Sequence, residues 1–346
     1  MERDGQMGKI FLILILILSA NSHGAEDRPA PGLCRGDAFS WNNKGEALYL
    51  NGQPNEAVKC FETAIGIDPQ CANAWNNKGF VLESQGSYKE AIELYEKAIQ
   101  IDPQYADAWH NKGEAFRKQG KTNESIQAYD KAIELYHQDS QKAVLWNNKG
   151  EAFRLQGNYH KAISAYDESI RLDAKYASPW NNKGKALSAQ GRTEEAMECF
   201  DKSIDLYPQN TVAWDSKGEA LYLRGRYEEA ISAYDKATGI NPQYTVSWYN
   251  KGNALGKLGK YEEAIECYDK AIDLYPQFAL SWNNKGHALL LLGRLEEAVM
   301  AYEKAIGINP QDAVSHYNKG YALKLLHRDS EADAAFARAQ ELGYEG

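Results

Sequence analysis

The chain has 346 residues, of which 43% are apolar and 25% charged, and its formal net charge is −9. This apolar content is enough to build a core, which excludes a disordered chain. The acidic balance argues against non-specific nucleic-acid binding, so no nucleic-acid partner is expected. Five cysteines are too few for a disulfide scaffold, and one short apolar run is too little for a polytopic membrane protein.

The first predicted element is a targeting segment at residues 1–24. An apolar run occupies residues 10–18, Lys9 precedes it, and small and polar residues follow it. This order is typical of a signal peptide, and an uncleaved membrane anchor through residues 10–18 is the alternative. We expect an exported, cell-surface or membrane-anchored protein, with a cytoplasmic location as the alternative. Residues 25–37 are predicted to be a polar linker.

Residues 38–346 consist of nine copies of one 34-residue repeat, with three extra residues inserted after the third copy. Tryptophan occupies position 4 of the first eight copies, where position means the place of a residue within its repeat, and His316 takes this place in the ninth. The repeats start at residues 38, 72, 106, 143, 177, 211, 245, 279 and 313.

Each repeat carries two helical patterns, which in the second repeat occupy residues 74–83 and 88–99. Gly86 separates them and is the residue expected where a chain leaves a helix with positive φ. Position 8 is glycine in all nine repeats, although glycine inside a helix costs about 1 kcal/mol relative to alanine. We therefore expect the second helix to approach closely here, with the aromatic ring of position 24 beside the glycine.

Tryptophan at position 4, glycine at 8, alanine at 20, an aromatic ring at 24 and proline at 32 together resemble the tetratricopeptide repeat (TPR). The resemblance implies an all-α fold, a right-handed TPR superhelix (α-solenoid) of nine helix-turn-helix repeats. It also implies that the first helices line a concave groove, with positions 2, 5, 6, 9, 12 and 13 facing it. Asp333 and Gln340 replace apolar residues in the ninth repeat, which is therefore expected to be a cap.

No catalytic motif is present, so we expect a protein that is not an enzyme and that needs no cofactor or metal. Cys60, Cys199 and Cys267 share position 23 on separate helices, which predicts packing or surface residues rather than a metal cluster. Cys34 and Cys71 flank the first repeat, but a disulfide between them is not expected.

Position 6 is asparagine in eight of the nine repeats. One amide per repeat can bracket the backbone of an extended peptide, and the column resembles the asparagine ladder in the TPR arm of protein O-GlcNAc transferases. The equally weighted alternative is that these amides satisfy local backbone groups. The members of this asparagine column are Asn43, Asn77, Asn111, Asn148, Asn182, Asn250, Asn284 and Asn318.

The other groove positions vary and are expected to determine specificity, with charges in the first half and aromatic rings in the second. Position 7 is lysine in every repeat, where the family usually has leucine; we expect each lysine to pack its stem and pair with an acid on a neighbouring helix. The alternative is a cationic track for an acidic polymer. The variable candidates are Glu114, Arg117, Glu151, Arg154, Tyr222, Tyr249, Tyr317 and Tyr321.

These observations predict a monomeric, non-catalytic scaffold that binds a protein or extended peptide segment in its groove. A substrate-recruiting accessory subunit of a separate enzyme, such as a glycosyltransferase, is the alternative. A self-assembling structural protein is a third reading, against which the polar ninth repeat argues.

Overall fold

The computed structural model describes residues 32–345, which form α-helices and turns with no strand among them. The all-α prediction is thus confirmed for this part of the chain. The expected signal peptide or anchor lies outside the described residues, as does most of the expected linker. The chain divides into two compact units, an N-terminal unit that ends at Ala174 and a C-terminal unit that begins at Lys175.

In the described part of the N-terminal unit, four repeats supply eight helices. Each odd-numbered helix is the first helix of a repeat and packs against the even-numbered helix that follows it. The helices are α1 (Asp37–Leu50), α2 (Pro54–Ile67), α3 (Ala72–Ser84), α4 (Tyr88–Ile101), α5 (Ala106–Lys118), α6 (Thr122–Leu135), α7 (Asp139–Leu155) and α8 (Tyr159–Leu172).

Five further repeats build the C-terminal unit in the same way, again with first helices carrying odd numbers. Its helices are α9 (Ala177–Ala189), α10 (Thr193–Leu206), α11 (Thr211–Leu223), α12 (Tyr227–Ile240), α13 (Thr245–Lys257), α14 (Tyr261–Leu274), α15 (Ala279–Leu291), α16 (Leu295–Ile308), α17 (Ala313–Leu325) and α18 (Asp329–Glu341).

The turn inside each repeat depends on one residue with positive φ. In the second repeat this residue is Gly86, with φ of 86°, and Ser87 N donates to Leu82 O at 2.9 Å. This is the hydrogen-bond pattern of a Schellman motif, which satisfies carbonyl groups at the helix end. His327 takes the same place in the ninth repeat with φ of 59°, a conformation that glycine adopts more readily than histidine.

The glycine at position 8 is required by close packing inside each helix pair, as the sequence predicts. A Cβ added to Gly79 would lie 2.8 Å from Tyr95 Cε1, and one added to Gly113 would lie 2.6 Å from Tyr129 Cε1. Both tyrosines are fully buried. Because the ring lies on the glycine backbone, any larger residue would push the two helices apart.

The indole N–H of the position-4 tryptophan forms a hydrogen bond with the turn that precedes its repeat. Trp75 Nε1 donates to Pro69 O at 3.1 Å. The ring of His316, which replaces tryptophan in the ninth repeat, contacts Pro310 O through Nε2 at 3.2 Å and so keeps the same link. The equivalent tryptophan bonds join Trp109, Trp214, Trp248 and Trp282 to the carbonyl groups of Pro103, Pro208, Pro242 and Pro276.

The three-residue insertion lengthens a helix instead of forming a loop. Residues 140–142 belong to α7, which has 17 residues, whereas α5 has 13. The extra turn therefore precedes the tryptophan of the fourth repeat and leaves the rest of the repeat in register.

The segment before the first helix is attached to the second repeat, and here one prediction is wrong. Cys34 and Cys71 form a disulfide, with their Cα atoms 4.3 Å apart. Ala72 N donates to Gly32 O at 2.8 Å, and Arg35 N donates to Asp68 Oδ2 at 3.3 Å. The two cysteines lie 37 residues apart in sequence, and only this return of the chain onto the start of α3 brings them together.

Candidate functional site

The asparagine column lies on the first helices, and its side chains reach the preceding repeat. Asn77 Nδ2 donates to Asn42 Oδ1 at 3.1 Å and to Glu46 Oε1 at 2.7 Å. Asn111 Nδ2 donates in the same way to Asn76 Oδ1 at 3.0 Å. The amide N–H groups thus join successive first helices by side-chain bonds.

The C-terminal unit repeats this contact between position 6 and position 5 of the preceding repeat. Asn284 Nδ2 donates to Tyr249 Oη at 3.2 Å and to Asn253 Oδ1 at 2.8 Å. Other pairs of this kind are Asn250 with Asp215, Asn318 with Asn283 and, in the N-terminal unit, Asn148 with His110. Asn43, in the first repeat, is exposed, and Asn182 Oδ1 accepts from Asn181 Nδ2.

Position 5 differs from the expectation that it faces the groove. In the first six repeats its side chain is buried, so it serves as a contact between repeats and not as an open surface. The six residues are Asn42, Asn76, His110, Asn147, Asn181 and Asp215, none more than 9% exposed. In four of these repeats the physical reason is a hydrogen bond with position 6 of the next repeat, which holds the position-5 side chain in the junction. The four residues are Asn42, Asn76, His110 and Asp215.

This geometry leaves the asparagine column with acceptors for a ligand. Asn77 and Asn284 each direct two donated bonds to the preceding repeat. Each side-chain oxygen accepts one bond, from Asn76 and Asn283 respectively, although a carbonyl oxygen has two lone pairs. The column can therefore accept a peptide N–H. That it grips a peptide backbone stays a prediction.

The predicted charges of the N-terminal unit form glutamate–base pairs on its first helices. Arg117 donates to Glu114 Oε2 at 2.7 Å, and Arg154 donates to both carboxylate oxygens of Glu151 at 2.7 and 2.8 Å. A third pair joins helices α3 and α5: Lys118 Nζ donates to Glu83 Oε1 at 2.8 Å. We call these three the glutamate–base pairs.

A tyrosine hydroxyl from the second helix of the repeat donates a hydrogen bond to each of these carboxylates. Tyr95 Oη donates to Glu83 Oε2 at 2.7 Å, and Tyr129 Oη donates to Glu114 Oε1 at 2.5 Å. The third bond runs from Tyr166 Oη to Glu151 Oε2, at 3.3 Å. The position-24 ring thus packs on glycine and also places its hydroxyl under the polar surface of the first helix.

Electrostatics favour the ionised forms of Glu114 and Glu151. Burial alone would raise the pKa of Glu114, but the Arg117 guanidinium outweighs it and holds that pKa below its usual range. Arg154 has the same effect on the pKa of Glu151. Because the carboxylates stay negative, the bases remain anchored in fixed positions at neutral pH.

Glu83, Lys118 and the tyrosine hydroxyls were not predicted as part of this surface. A partial signal was present in the second, third and fourth repeats, where tyrosine at position 24 accompanies glutamate at position 9 or 12. The first repeat departs from it, because Glu46 at position 9 accompanies Phe61. Tyr268 Oη donates to Asn253 Oδ1 at 2.9 Å, whereas Phe200 follows a helix with Lys185 at position 9. Only the joint variation of two columns shows this pairing.

The predicted tyrosines of the C-terminal unit are unequally available. Tyr321 is exposed, whereas Tyr249 packs on Phe278 with ring centroids 5.0 Å apart. Tyr317 stacks on Tyr344 at 4.3 Å. Tyr222 lies 5.4 Å from Tyr227 and is partly buried. Three of the four rings are therefore held by neighbours, and Tyr321 is open.

The same unit exposes aliphatic side chains at positions 2 and 13 of its first helices. These positions lie eleven residues apart, which is close to three helical turns, so they share a face with position 9. Leu223 is 66% exposed and Leu280 53% exposed, and Tyr321 lies on the same face of α17. We define the apolar stripe as Val212, Leu223, Val246, Leu280, Leu291, Val314, Tyr321 and Leu325, all exposed.

The lysine column pairs with acids on the second helix of the preceding repeat, as predicted. Lys78 Nζ lies 2.8 Å from Glu62, and Lys285 Nζ lies 2.5 Å from Asp269. Lys149 also stands over the Trp146 ring, 4.4 Å from its centroid. The lysine column thus acts as a set of links between repeats. The other such pairs are Lys112–Glu96, Lys149–Asp130, Lys217–Asp201, Lys251–Asp235 and Lys319–Glu303.

The cysteines of position 23 are buried and take no part in a disulfide, so of the two alternatives they are packing residues. Within residues 32–345, no group of three or more histidine, cysteine or acidic residues is placed to hold a metal ion. The same residues include no helix of the length and apolarity that a bilayer crossing needs.

Models of one repeat family match the chain along most of residues 38–312. The tetratricopeptide repeat models match residues 38–71, 246–278 and 279–312, and also 104–175 and 141–209. The TPR repeat model matches residues 82–120 and 218–259. No curated protein matches the chain significantly.

One solved structure shares the fold at low sequence identity, and a second is similar over a shorter stretch. The crystal structure of the APC/C hetero-tetramer Cut9-Hcn1 matches 81% of this chain with 19% identity and a TM-score of 0.59, and the chain spans 55% of that protein. MamA 41-end from Desulfovibrio magneticus RS-1 matches 48% of this chain and 94% of its own, with 23% identity and a TM-score of 0.46.

Proposed function

Because the chain belongs to the tetratricopeptide repeat family, we propose that its first-helix surface binds an extended segment of a partner protein without catalysing a reaction. Members of this family are in general interaction scaffolds. The observation that carries the proposal is the apolar stripe, since eight exposed apolar side chains lie on one face of successive first helices in the C-terminal unit. Exposed apolar side chains that recur on one face in this way are typical of a protein-binding site.

The stripe fits an extended ligand better than a compact one. Neighbouring first helices are about 10 Å apart in packed helical arrays, and an extended peptide rises about 3.3 Å per residue. Every third ligand residue therefore meets a new repeat. Exposed residues such as Leu280 and Leu291 in the eighth repeat would bury against ligand side chains, and the asparagine column beside them offers acceptors for the ligand backbone.

The experiment selects 12-residue peptides from a displayed random library on the full chain and titrates one selected peptide against variants. Leu291→Lys on helix α15 is expected to weaken binding about tenfold or more, because burying a leucine contributes roughly 1.5–3 kcal/mol. The matched control is Met300→Lys on helix α16 of the same repeat. Met300 is 61% exposed but lies on a second helix, so this change should leave the affinity within about twofold.

Both substitutions replace exposed apolar residues, so circular dichroism should show an unchanged helix content. The proposal is overturned if Leu291→Lys binds the peptide as well as the unchanged protein while Met300→Lys does not. It is equally overturned if no peptide is enriched over an unselected library.

A further inference from the structure

In each glutamate–base pair of the N-terminal unit, the cation is more exposed than the carboxylate. Lys118 is 39% exposed at its side chain, whereas its partner Glu83 is 6% exposed. The order is the same for the other two pairs: Arg117 is 26% exposed against 19% for Glu114, and Arg154 is 32% against 25% for Glu151. A ligand on this face thus meets the positive member of each pair first.

The hydrogen bonds also favour contact between a ligand and the bases. Both oxygens of Glu83 and of Glu114 already accept a bond, one from a base and one from a buried tyrosine. The bases have more N–H donors than these pairs use. Lys118 has three N–H groups and donates one bond to Glu83. Arg117 donates to Glu114 from one terminal nitrogen, and Arg154 donates two of its five N–H groups, both to Glu151.

From this arrangement we infer that the first helices α5 and α7 bind the carboxylates of an acidic peptide segment. This inference rests on the proposed function and names the ligand chemistry for the N-terminal unit. An acidic side chain gains charge-assisted hydrogen bonds from the free donors of Arg117, Lys118 and Arg154. A basic ligand instead meets carboxylates that are already paired with a base and are less exposed than that base.

The spacing of the bases sets the register of the ligand. Arg117 and Lys118 belong to α5 and Arg154 to the next first helix, α7. A step of about 10 Å between first helices corresponds to about three residues of extended peptide. The ligand class is therefore an extended segment with an aspartate or glutamate at every third residue.

The probe is a fluorescent 12-residue peptide with the sequence Glu-Ser-Ala repeated four times, titrated with the full chain. Two matched peptides carry glutamine or lysine in place of every glutamate. We expect the glutamate peptide to bind at least about tenfold more tightly than the glutamine peptide at 50 mM salt, and the lysine peptide to bind most weakly. The preference should shrink as salt is raised, because part of it is charge attraction across solvent.

Two variants test the assignment. Arg154→Gln should reduce the preference for glutamate over glutamine to about threefold or less. Because this change leaves Glu151 without its base, the second variant is the pair Glu151→Gln with Arg154→Gln, which removes both charges and is expected to show the same loss. The control is Arg171→Gln on helix α8, whose arginine pairs with Glu168 at the same spacing, and it should keep the full preference.

Equal affinity of the unchanged protein for the glutamate and glutamine peptides would overturn this inference. The inference would also be overturned if the doubly substituted variant kept the full preference for the glutamate peptide over the glutamine peptide. The proposed function fails separately, because its readout is the difference between Leu291→Lys and Met300→Lys with a selected peptide. If that difference is found and the acidic preference is not, only the ligand assignment is wrong.

Discussion

At position 8 of the sixth repeat, the methyl group of an alanine would overlap the ring at position 24. A Cβ on Gly218 would lie 2.5 Å from Tyr234 Cε1, whereas a Cβ on Gly239 of helix α12 would meet no atom within 4 Å. Gly218→Ala should therefore cost about 1–3 kcal/mol through overpacking, despite the better helix propensity of alanine. Gly239→Ala, in the same repeat, should instead stabilise by about 0.5–1 kcal/mol.

The measurement is the urea midpoint of each variant, followed by circular dichroism. The urea midpoint should fall for Gly218→Ala, because the added methyl group overlaps the tyrosine ring. It should rise for Gly239→Ala, because the space there is open. A rise in the midpoint for Gly218→Ala would mean that the tyrosine ring moves aside without cost.

Asp215 is a buried acid whose charge opposes folding. Burial is the largest effect on it and raises its pKa above the ordinary 3.8, although Ser247 and Asn250 donate hydrogen bonds to it. A raised folded-state pKa means that the folded protein prefers the protonated acid, so stability falls as pH rises from 3.8 through the higher folded value. Asp215→Asn keeps the Oδ1 acceptor and should be more stable than the unchanged protein at pH 7.

That advantage should be constant at neutral pH and shrink as the pH falls through 3.8, because the aspartic acid becomes neutral in both states only below that value. Thermal unfolding of both proteins between pH 3.5 and pH 7.5 follows the difference. A difference that is independent of pH would assign the effect to packing instead of charge.

Helix elements were predictable from the sequence to within about two residues, because one repeat confirms another. In the second repeat the expected residues 74–83 correspond to α3 (Ala72–Ser84). The pattern also predicted that the lysine column pairs with acids on a neighbouring helix, although not which acids. The link between positions 5 and 6 did not, because both positions are polar and their contact spans 35 residues, as from Asn42 to Asn77.

The ninth repeat covers the apolar side of the eighth, and deleting its two helices should expose that side. Leu323 and Ala332 of α17 and α18 belong to the same core cluster as Leu289 and Val299. In the full chain Asp333 and Gln340 are exposed on the far face of α18, as expected of a cap.

A chain that lacks residues 313–346 should therefore self-associate, because Leu289 and Val299, which are 1% and 4% exposed, would lose their cover. Light scattering and sedimentation of the shortened chain test this. The shortened chain with Val299→Lys serves as control and should associate less. A shortened chain that stays monomeric without that change would show that the eighth repeat can close the array unaided.

At the scale of the whole molecule, the disulfide and the predicted targeting segment both favour a location outside the cytoplasm. Disulfides persist in oxidising surroundings and are rare where thiols are kept reduced. Because Cys34 and Cys71 are bonded, we propose that the chain is exported or held outside the cytoplasm. The apolar run at residues 10–18 is the independent support from the sequence.

Protein isolated from its native host should carry a linked peptide pair that contains Cys34 and Cys71. Alkylation of the denatured, unreduced chain should label three cysteines, Cys60, Cys199 and Cys267, which are free in the structure. The chain should begin after residue 20 or be found in the membrane fraction. Five labelled cysteines on a soluble chain with an intact N-terminus would refute export.

The link between tryptophan and the preceding turn gives the array a built-in set of optical probes. Each of Trp75, Trp109, Trp214, Trp248 and Trp282 is half-buried and bonded to a proline carbonyl of the repeat before it. Indole emission moves to longer wavelength when the ring gains water, so each tryptophan reports the opening of one junction. Chains that keep a single tryptophan, with phenylalanine at the other seven places, should therefore show where unfolding begins along the array and how far it spreads before the next junction gives way.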